Sequence, residues 1–157
     1  MRKFGLERVA DGHTEILILG VLPSDVSLSK GQYYADPRND LWKLLEAVLN
    51  ERLTNLPYEA RIQALLSHKI GLWDVYRSCL RPGSMDKGIS GERLNDFAAL
   101  KTMVPNLRLV CFNGKEAGRW EDRVRNLGYR TLVLPSSSGA NRKNQEERLR
   151  SWRRIVT

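Results

Sequence analysis

The sequence of 157 residues has few residues of the types that bind metals. It contains two cysteines, Cys79 and Cys111, and two histidines, His13 and His68. No CxxC pair occurs, so an iron–sulfur cluster with four cysteine ligands is excluded. The histidines are far apart along the chain, so the sequence offers few residues for a zinc site or a histidine-based triad. We therefore expect two free thiols, no metal and no cofactor.

Long apolar runs are also missing. No stretch approaches the roughly 20 apolar residues of a membrane span, and the first ten residues, MRKFGLERVA, contain no apolar segment that resembles a secretory signal. The stretch PGSMDKGISG lacks the G-x-x-x-x-G-K-[ST] pattern, which argues against nucleotide hydrolysis. We therefore expect a cytoplasmic protein without a membrane partner.

Acidic residues are outnumbered, since 26 Lys and Arg stand against 18 Asp and Glu and give a net charge of +8. This balance favours a polyanionic partner, because basic side chains that neutralise phosphates release counterions. Six basic and two acidic residues lie between Arg142 and Arg154, with Trp152 among them. That segment is compatible with a nucleic-acid contact and equally with a solvated helix face.

Four short apolar runs predict buried parallel strands, because they are rich in Leu, Ile and Val without strict alternation. They are TEILILG (14–20), IGLWDV (70–75), RLVCF (108–112) and RTLVLP (130–135). Segments with helical periodicity separate them at 40–53, 58–69, 92–103 and 115–128, and a last helix is expected from about Asn144 to Arg154. The alternation predicts one α/β domain over residues 1–157, a three-layer α/β/α sandwich around a central four-stranded parallel sheet.

Polar loops follow all four predicted strands, at 20–39, 74–90, 113–115 and 135–142. In open α/β sheets the ligand site lies at the carboxyl ends of the strands. Loops are polar in most proteins, but the connections at the opposite ends, such as NLG before the fourth strand, are short. The difference predicts a functional rim at the carboxyl edge.

Three blocks carry the most specific residue patterns: GVLPSDVSLSKGQYYADPRNDLW (20–42), GLWDVYRSCLRPGSMDKGI (71–89) and LVLPSSSGANRKNQEERLRSW (132–152). They resemble the uracil-DNA glycosylase superfamily, and most closely its branch of mismatch-specific uracil/thymine and hypoxanthine-DNA glycosylases. The resemblance implies a monofunctional glycosylase of base excision repair. Such an enzyme flips a deaminated base, uracil or hypoxanthine, out of DNA and hydrolyses its N-glycosidic bond to leave an abasic site.

The resemblance assigns roles to two residues before the first long helix. Tyr34 matches the aromatic residue that stacks on the flipped base, and Asn39 matches an asparagine that the hypoxanthine branch uses in catalysis. The Asn39 amide is expected to orient the water or to grip the base edge, and it is also a suitable helix N-cap. Asp25 is the second candidate for handling the attacking water, in its case as a general base, and a carboxylate at this place is equally suited to capping or solvating a loop.

The base pocket is expected to be formed by the strand-end loops. Its predicted base-binding residues are Gly20, Leu22, Pro23, Ser24, Tyr34 and Asn113. Leu22 is a departure from the mismatch-specific enzymes, which place a water-holding asparagine there; the hypoxanthine branch also has an apolar residue at this position. Asn113 is compatible with a plain turn residue as well.

The last block matches the DNA-intercalation loop, which enters the minor groove and fills the space left by the flipped base. The predicted DNA-binding residues are Ser136, Ser137, Ser138, Gly139, Ala140, Asn141 and Arg142. Leu134 stands where the classical uracil enzymes have a histidine before the proline, which argues against that branch.

The expected partner is DNA that contains a deaminated base, bound by a monomer. The sequence leaves two other functions open. One is a module of the same fold that binds damaged or abasic DNA with little turnover, which the apolar Leu22 motivates. The other is an α/β enzyme that processes free nucleosides. The choice between uracil and hypoxanthine depends on pocket volume, which the spacing of residues in the sequence does not determine.

Overall fold

The four apolar runs form the predicted central sheet in the computed structural model, which describes residues 1–157. Its strands are β2 (Ile16–Gly20), β3 (Ile70–Asp74), β6 (Leu109–Asn113) and β7 (Arg130–Leu134). They are all parallel and lie in the order β3-β2-β6-β7. A second, antiparallel sheet of three strands has the order β1-β4-β5, with β1 at Arg2–Phe4, β4 at Tyr76–Leu80 and β5 at Ser90–Leu94.

Helices cover both faces of the parallel sheet. They are α1 (Asp25–Lys30), α2 (Leu41–Leu49), α3 (Tyr58–Ser67), α4 (Leu100–Met103), α5 (Lys115–Gly118), α6 (Glu121–Arg125) and α7 (Gln145–Trp152), with 3-10 turns at Phe97–Ala99 and Arg153–Val156. No helix combines the length and the apolar character that a membrane span requires.

The side chains of β2 alternate between two apolar clusters. Ile16 and Ile18 pack with α2, α3 and α7 on one face, whereas Leu17 and Leu19 pack with α4, α5 and α6 on the other. A strand covered on both faces carries apolar residues at every position, which is why its sequence shows no period of two. The prediction of a three-layer sandwich is confirmed.

The second sheet was not predicted, and the helix expected over 92–103 is wrong in its first half. Residues Ser90–Leu94 form β5, which pairs antiparallel with β4. β4 itself lies inside the segment 74–90 that was expected to be a loop. The helical residues begin only after Asp96, whose carboxylate accepts the N–H of Ala99. Apolar spacing alone did not separate a half-exposed edge strand from a helix in so short a segment.

The parallel pairing brings the carboxyl ends of all four long strands to one edge of the sheet. Gly20 is directly opposite Asp74 on β3, and Asn113 at the end of β6 is opposite Leu134 on β7. The loops that follow these strands therefore meet over a common space.

Candidate active site

A cleft of about 410 Å³ opens at this edge of the sheet. Its volume lies within the range of small-molecule sites, about 300–1,000 Å³. Of the predicted site residues, only Asp25 and Asn141 do not line it: the lining includes Gly20, Leu22, Pro23, Ser24, Tyr34, Asn39, Asn113, Ser136, Ser137, Ser138, Gly139, Ala140 and Arg142. Residues from opposite ends of the chain thus share one cavity.

A directed hydrogen-bond chain crosses the floor of the cleft. The Asn113 amide nitrogen donates to Ser137 Oγ at 2.8 Å, and that hydroxyl donates to Asn39 Oδ1 at 2.8 Å. Asn113 Oδ1 accepts the backbone N–H of Ser137 at 2.9 Å, which fixes the orientation of its amide. Ser137 has no solvent exposure. Its side chain therefore holds the two asparagines in place rather than facing a ligand.

The Asn39 side chain is oriented by two donors. Its Oδ1 accepts the Ser137 hydroxyl and also the backbone N–H of Leu41 at 3.0 Å. Both lone pairs of this oxygen are then in use, whereas the amide nitrogen donates to no protein group. Asn39 consequently presents N–H donors, and not an acceptor, as its free polar group. The N-cap of α2 is Asp40, and Asn39 Oδ1 accepts the N–H of Leu41, the first helical residue, so the expectation that Asn39 is the N-cap is wrong by one residue.

Tyr34 is fixed at three points. Its backbone adopts φ +54°, its carbonyl oxygen accepts Trp42 Nε1–H at 3.1 Å, and its hydroxyl accepts from the Asn113 amide at 3.2 Å. Burial raises the pKa of the Tyr34 phenol above its ordinary value, so the group stays protonated. A side chain that is held at both ends offers a rigid aromatic face to a ligand.

Gly20 is required by close packing. A Cβ atom at this position would lie 2.7 Å from Asp74 Oδ1 and 2.8 Å from the Tyr34 hydroxyl. Any larger residue at the end of β2 would therefore displace the two polar groups that flank it.

The loop after β2 is held by a buried arginine that was not predicted from the sequence. Arg81, which follows β4, donates to the carbonyl oxygens of Leu22 at 3.1 Å and Pro23 at 2.7 Å. Its side chain has no exposure. Ser24 ends the loop by capping α1, since its Oγ accepts the N–H of Ser27 at 3.2 Å. The backbone of this loop is consequently pre-positioned beside the cleft.

The structure does not bring Asp25 into the cleft. Its side chain is 55% exposed and forms an ion pair with Lys3 at 2.8 Å. That hydrogen bond holds the pKa of the Asp25 carboxyl below its usual range. Its position in the first turn of α1 also matches the ordinary preference of acidic residues for a helix N-terminus.

The loop 136–142 is ordered by its own polar groups. Ser136 Oγ accepts the N–H of Ser138, Ser138 Oγ accepts the N–H of Ala140, and the Asn141 amide donates to the Ser136 carbonyl. A Cβ at Gly139 would clash with the backbone of Arg38, so the loop lies against the segment before α2.

Arg142 anchors this loop through a carboxylate. Its guanidinium donates two hydrogen bonds of 2.8 Å to Asp40, which also accepts from Arg148 of α7 at 2.7 Å. These bonds, with Arg142 as the larger cause, lower the pKa of the Asp40 carboxyl to about 2. The triad carries one net positive charge beside the cleft. A second groove of about 490 Å³ adjoins it between α2 and α7; its buried polar residues are Asp40 and Arg148, which pair with each other, while Arg148 Nε has no partner.

Asp74 is a second site residue that was not predicted from the sequence. It ends β3, is 3% exposed and lines the cleft. Its signal was present, because Asp74 follows the apolar IGLW run just as Asn113 follows LVCF. Arg81 gave no comparable signal, since a basic residue after a short strand is ordinary. No group of three or more His, Cys, Asp or Glu side chains lies close enough together to hold a metal ion.

The cleft thus combines the strand ends of a parallel sheet with an aromatic wall and amide groups. The model of the uracil DNA glycosylase superfamily matches residues 7–156, and the chain belongs to this superfamily.

Two curated relatives are hypoxanthine DNA glycosylases by name. The protein from Methanosarcina acetivorans is 50% identical over 155 residues, which cover 99% of this chain and 98% of the relative. The protein from Methanosarcina barkeri is 49% identical over 152 residues, which cover 97% of this chain and 96% of the relative. A solution NMR structure from Methanosarcina acetivorans, of a protein proposed to be a uracil DNA glycosylase, superposes with a TM-score of 0.91 at 48% identity over the full length of both chains.

Proposed function

We propose that this protein is a monofunctional DNA glycosylase of base excision repair that excises hypoxanthine, and secondarily uracil, and leaves an abasic site. The observation that carries the proposal is the convergence of Tyr34, Asn39 and the loop 136–142 on one cleft. The relatives' names support hypoxanthine as the first substrate.

Binding begins with the charge of the protein. The net charge of +8 attracts the phosphate backbone. The target nucleotide then leaves the base stack and enters the cleft, where its ring lies against Tyr34; base–aromatic stacking is worth about 1–3 kcal/mol per base. The ordered loop 136–142 occupies the space that the base has vacated.

Cleavage of the glycosidic bond leaves negative charge on the departing base. Donors that point to this charge stabilise the transition state, because it develops as the bond breaks. The Asn39 amide nitrogen is such a donor, since its oxygen is occupied by Ser137 and Leu41. Asn39 therefore acts on the leaving base rather than as the acceptor for the attacking water. The phosphates of the bound strand stabilise the cationic sugar, which then takes up water at C1′, and the proton released by that water neutralises the departing base.

The proposal is tested with duplex oligonucleotides that carry hypoxanthine, uracil, xanthine or thymine opposite each of the four bases. Single-turnover reactions followed by alkali reveal abasic sites as strand breaks. We expect the fastest cleavage at hypoxanthine. Tight binding without a strand break at any base would support the binding module instead, and activity on free nucleosides alone would support the nucleoside-processing enzyme.

The proposal extends to the working state of the protein. The protein is proposed to act as a monomer on damaged DNA in the cytoplasm, and the residues to which the mechanism assigns roles, Tyr34, Asn39 and the loop 136–142, line one cleft of the chain. Sedimentation of the protein with and without a duplex measures the stoichiometry, and a complex of two proteins per lesion would contradict the monomer.

A further inference from the structure

Asp74 is a buried carboxyl group whose side chain receives no hydrogen bond. It is 3% exposed, and its Oδ2 has no partner although the atom is shielded from solvent. The Asn95 side chain donates to the backbone oxygen of this residue and not to its carboxyl group. Buried polar groups are nearly always paired, so an orphaned one at a ligand cleft calls for a functional explanation.

The other polar side chains deep in the cleft are already engaged. Asn113 uses its amide on Tyr34 and Ser137, and the Ser137 hydroxyl is bound on both sides. The free hydrogen-bonding groups of the floor are then the Asn39 nitrogen, the Tyr34 O–H, which donates to no protein group, and the Asp74 carboxyl. A base that lies against Tyr34 therefore meets Asp74 as the unused partner for its polar edge.

The surroundings favour the un-ionised form of this carboxyl. Burial raises the pKa of Asp74 to about 8, and Asp86 in the loop between β4 and β5 adds to the rise, whereas Arg81 after β4 opposes it. Tyr33 and Tyr34, from the segment before α2, face the group as neutral phenols with raised pKa values. A carboxylic acid offers one O–H donor and one carbonyl acceptor side by side.

We infer that Asp74, as an un-ionised carboxylic acid, binds the edge of the flipped base at which an N–H adjoins a keto oxygen. Its carbonyl oxygen accepts the N–H of hypoxanthine or uracil, and its O–H donates to the keto oxygen. Loss of the proton turns an anionic oxygen toward that keto oxygen, so the ionised form binds the base poorly. This inference rests on the proposed function only in requiring that a base enters the cleft.

The test measures binding and leaves cleavage aside. The ligand is a duplex with 2′-fluoro-2′-deoxyinosine, in which the fluorine blocks formation of the sugar cation. Its dissociation constant for the wild-type protein should rise about tenfold per pH unit above pH 8, because only the protonated fraction is competent. Asp74→Asn keeps a donor and an acceptor but does not ionise, so its affinity should lack this dependence. The N–H of the base also ionises in alkali and adds to the pH dependence of binding. The Asp74→Asn variant measures this contribution by itself.

A duplex with a tetrahydrofuran abasic analogue is the matched control, because it has no base to meet Asp74. Both proteins should bind it with the same pH profile. Identical profiles of the two proteins on the inosine duplex would overturn the inference. The inference would also be overturned if the Asp74→Asn protein bound the abasic duplex but did not bind the inosine duplex at any pH. Binding of the base would then need the ionised carboxylate.

A measurement on the wild-type protein covers the case in which the variant does not fold. The carboxyl-carbon NMR signal of Asp74 should titrate near pH 8 in the free protein, and its midpoint should rise when the inosine analogue binds. An unchanged or lowered midpoint contradicts the inference. A protein that passes these tests yet leaves ordinary deoxyinosine uncleaved contradicts the proposed function and not the role of Asp74.

Discussion

At the scale of single residues, the proposed mechanism depends on which end of one amide is free. Asn39 Oδ1 accepts from Ser137 and Leu41, which leaves the two N–H groups as the free end of the side chain. Asn39→Asp keeps the acceptor for both donors, but it replaces the two N–H groups with a second oxygen and adds a negative charge. We expect its chemical step to be as slow as that of Asn39→Ala, on the order of 10²–10³-fold below the wild type.

Single-turnover rates on a deoxyinosine duplex measure this effect, and duplex affinity should change far less than the rate. Asn126→Asp is the control for an added negative charge, because Asn126 is exposed and outside the cleft. A near-normal rate for Asn39→Asp would show that the donor is dispensable.

Gly20 offers a second test at the same scale. Gly20→Ala places a methyl group against Asp74 Oδ1 and the Tyr34 hydroxyl, so both must shift. We expect the cleavage rate to fall on the order of 10²-fold, the usual cost of a small misplacement in an active site. Gly12→Ala is the matched control, since a Cβ there meets nothing within 4 Å. Equal rates for the two variants would mean that the contact of Gly20 with these groups does not matter to catalysis.

At the scale of elements, the loop 136–142 depends on a charge cluster that joins it to α2 and α7. Asp40→Ala leaves the buried Arg148 without its carboxylate. Removing one partner of a buried ion pair costs about 3–5 kcal/mol, so we expect a drop of that size in the free energy of unfolding, measured in urea. Asp122→Ala, which breaks an exposed pair with Arg125, should cost no more than about 1 kcal/mol.

Because of the same cluster, we expect the free energy of unfolding to depend on pH in the acidic range. The pKa of Asp40 is lowered in the folded state to about 2 from an ordinary value of 3.8. Its contribution to stability is therefore complete above the unfolded value and is lost as the pH falls through the folded one. The stability difference between wild type and Asp40→Ala should shrink in that acidic range. A difference that stays constant with pH would mean that the ionised carboxylate is not what stabilises the cluster.

The elements that the sequence predicted well are those with a single strong signal. Each strand of the parallel sheet is a continuous apolar run, and α2 carries one apolar stripe, so their positions follow from burial alone. β5 has no such signal, because SGERL is half exposed and is a strand only through its pairing with β4. The same holds for the residues of the site. The resemblance predicted Tyr34 and Asn39, whereas the role of Arg81 and the position of Asp25 outside the cleft depend on contacts between distant parts of the chain.

At the scale of the whole molecule, the parallel sheet connects two apolar clusters. Leu45 of α2 lies in one cluster and Leu100 of α4 in the other, and each cluster includes side chains of β2. Neither cluster is complete without the sheet between them. This arrangement makes the prediction of one domain over residues 1–157 testable as a matter of cooperativity.

The tryptophans report on the two faces separately, since Trp42 and Trp152 lie in the first cluster and Trp73 in the second. We expect their indole N–H signals to disappear at one common urea concentration. Leu45→Ala and Leu100→Ala should each lower the free energy of unfolding by about 2–5 kcal/mol, and each should shift all three signals together, because a cavity on one face weakens the sheet that both faces share. Separate midpoints for Trp42 and Trp73 would mean that the faces unfold independently, and the catalytic cleft, which takes residues from both, would then open before the protein unfolds.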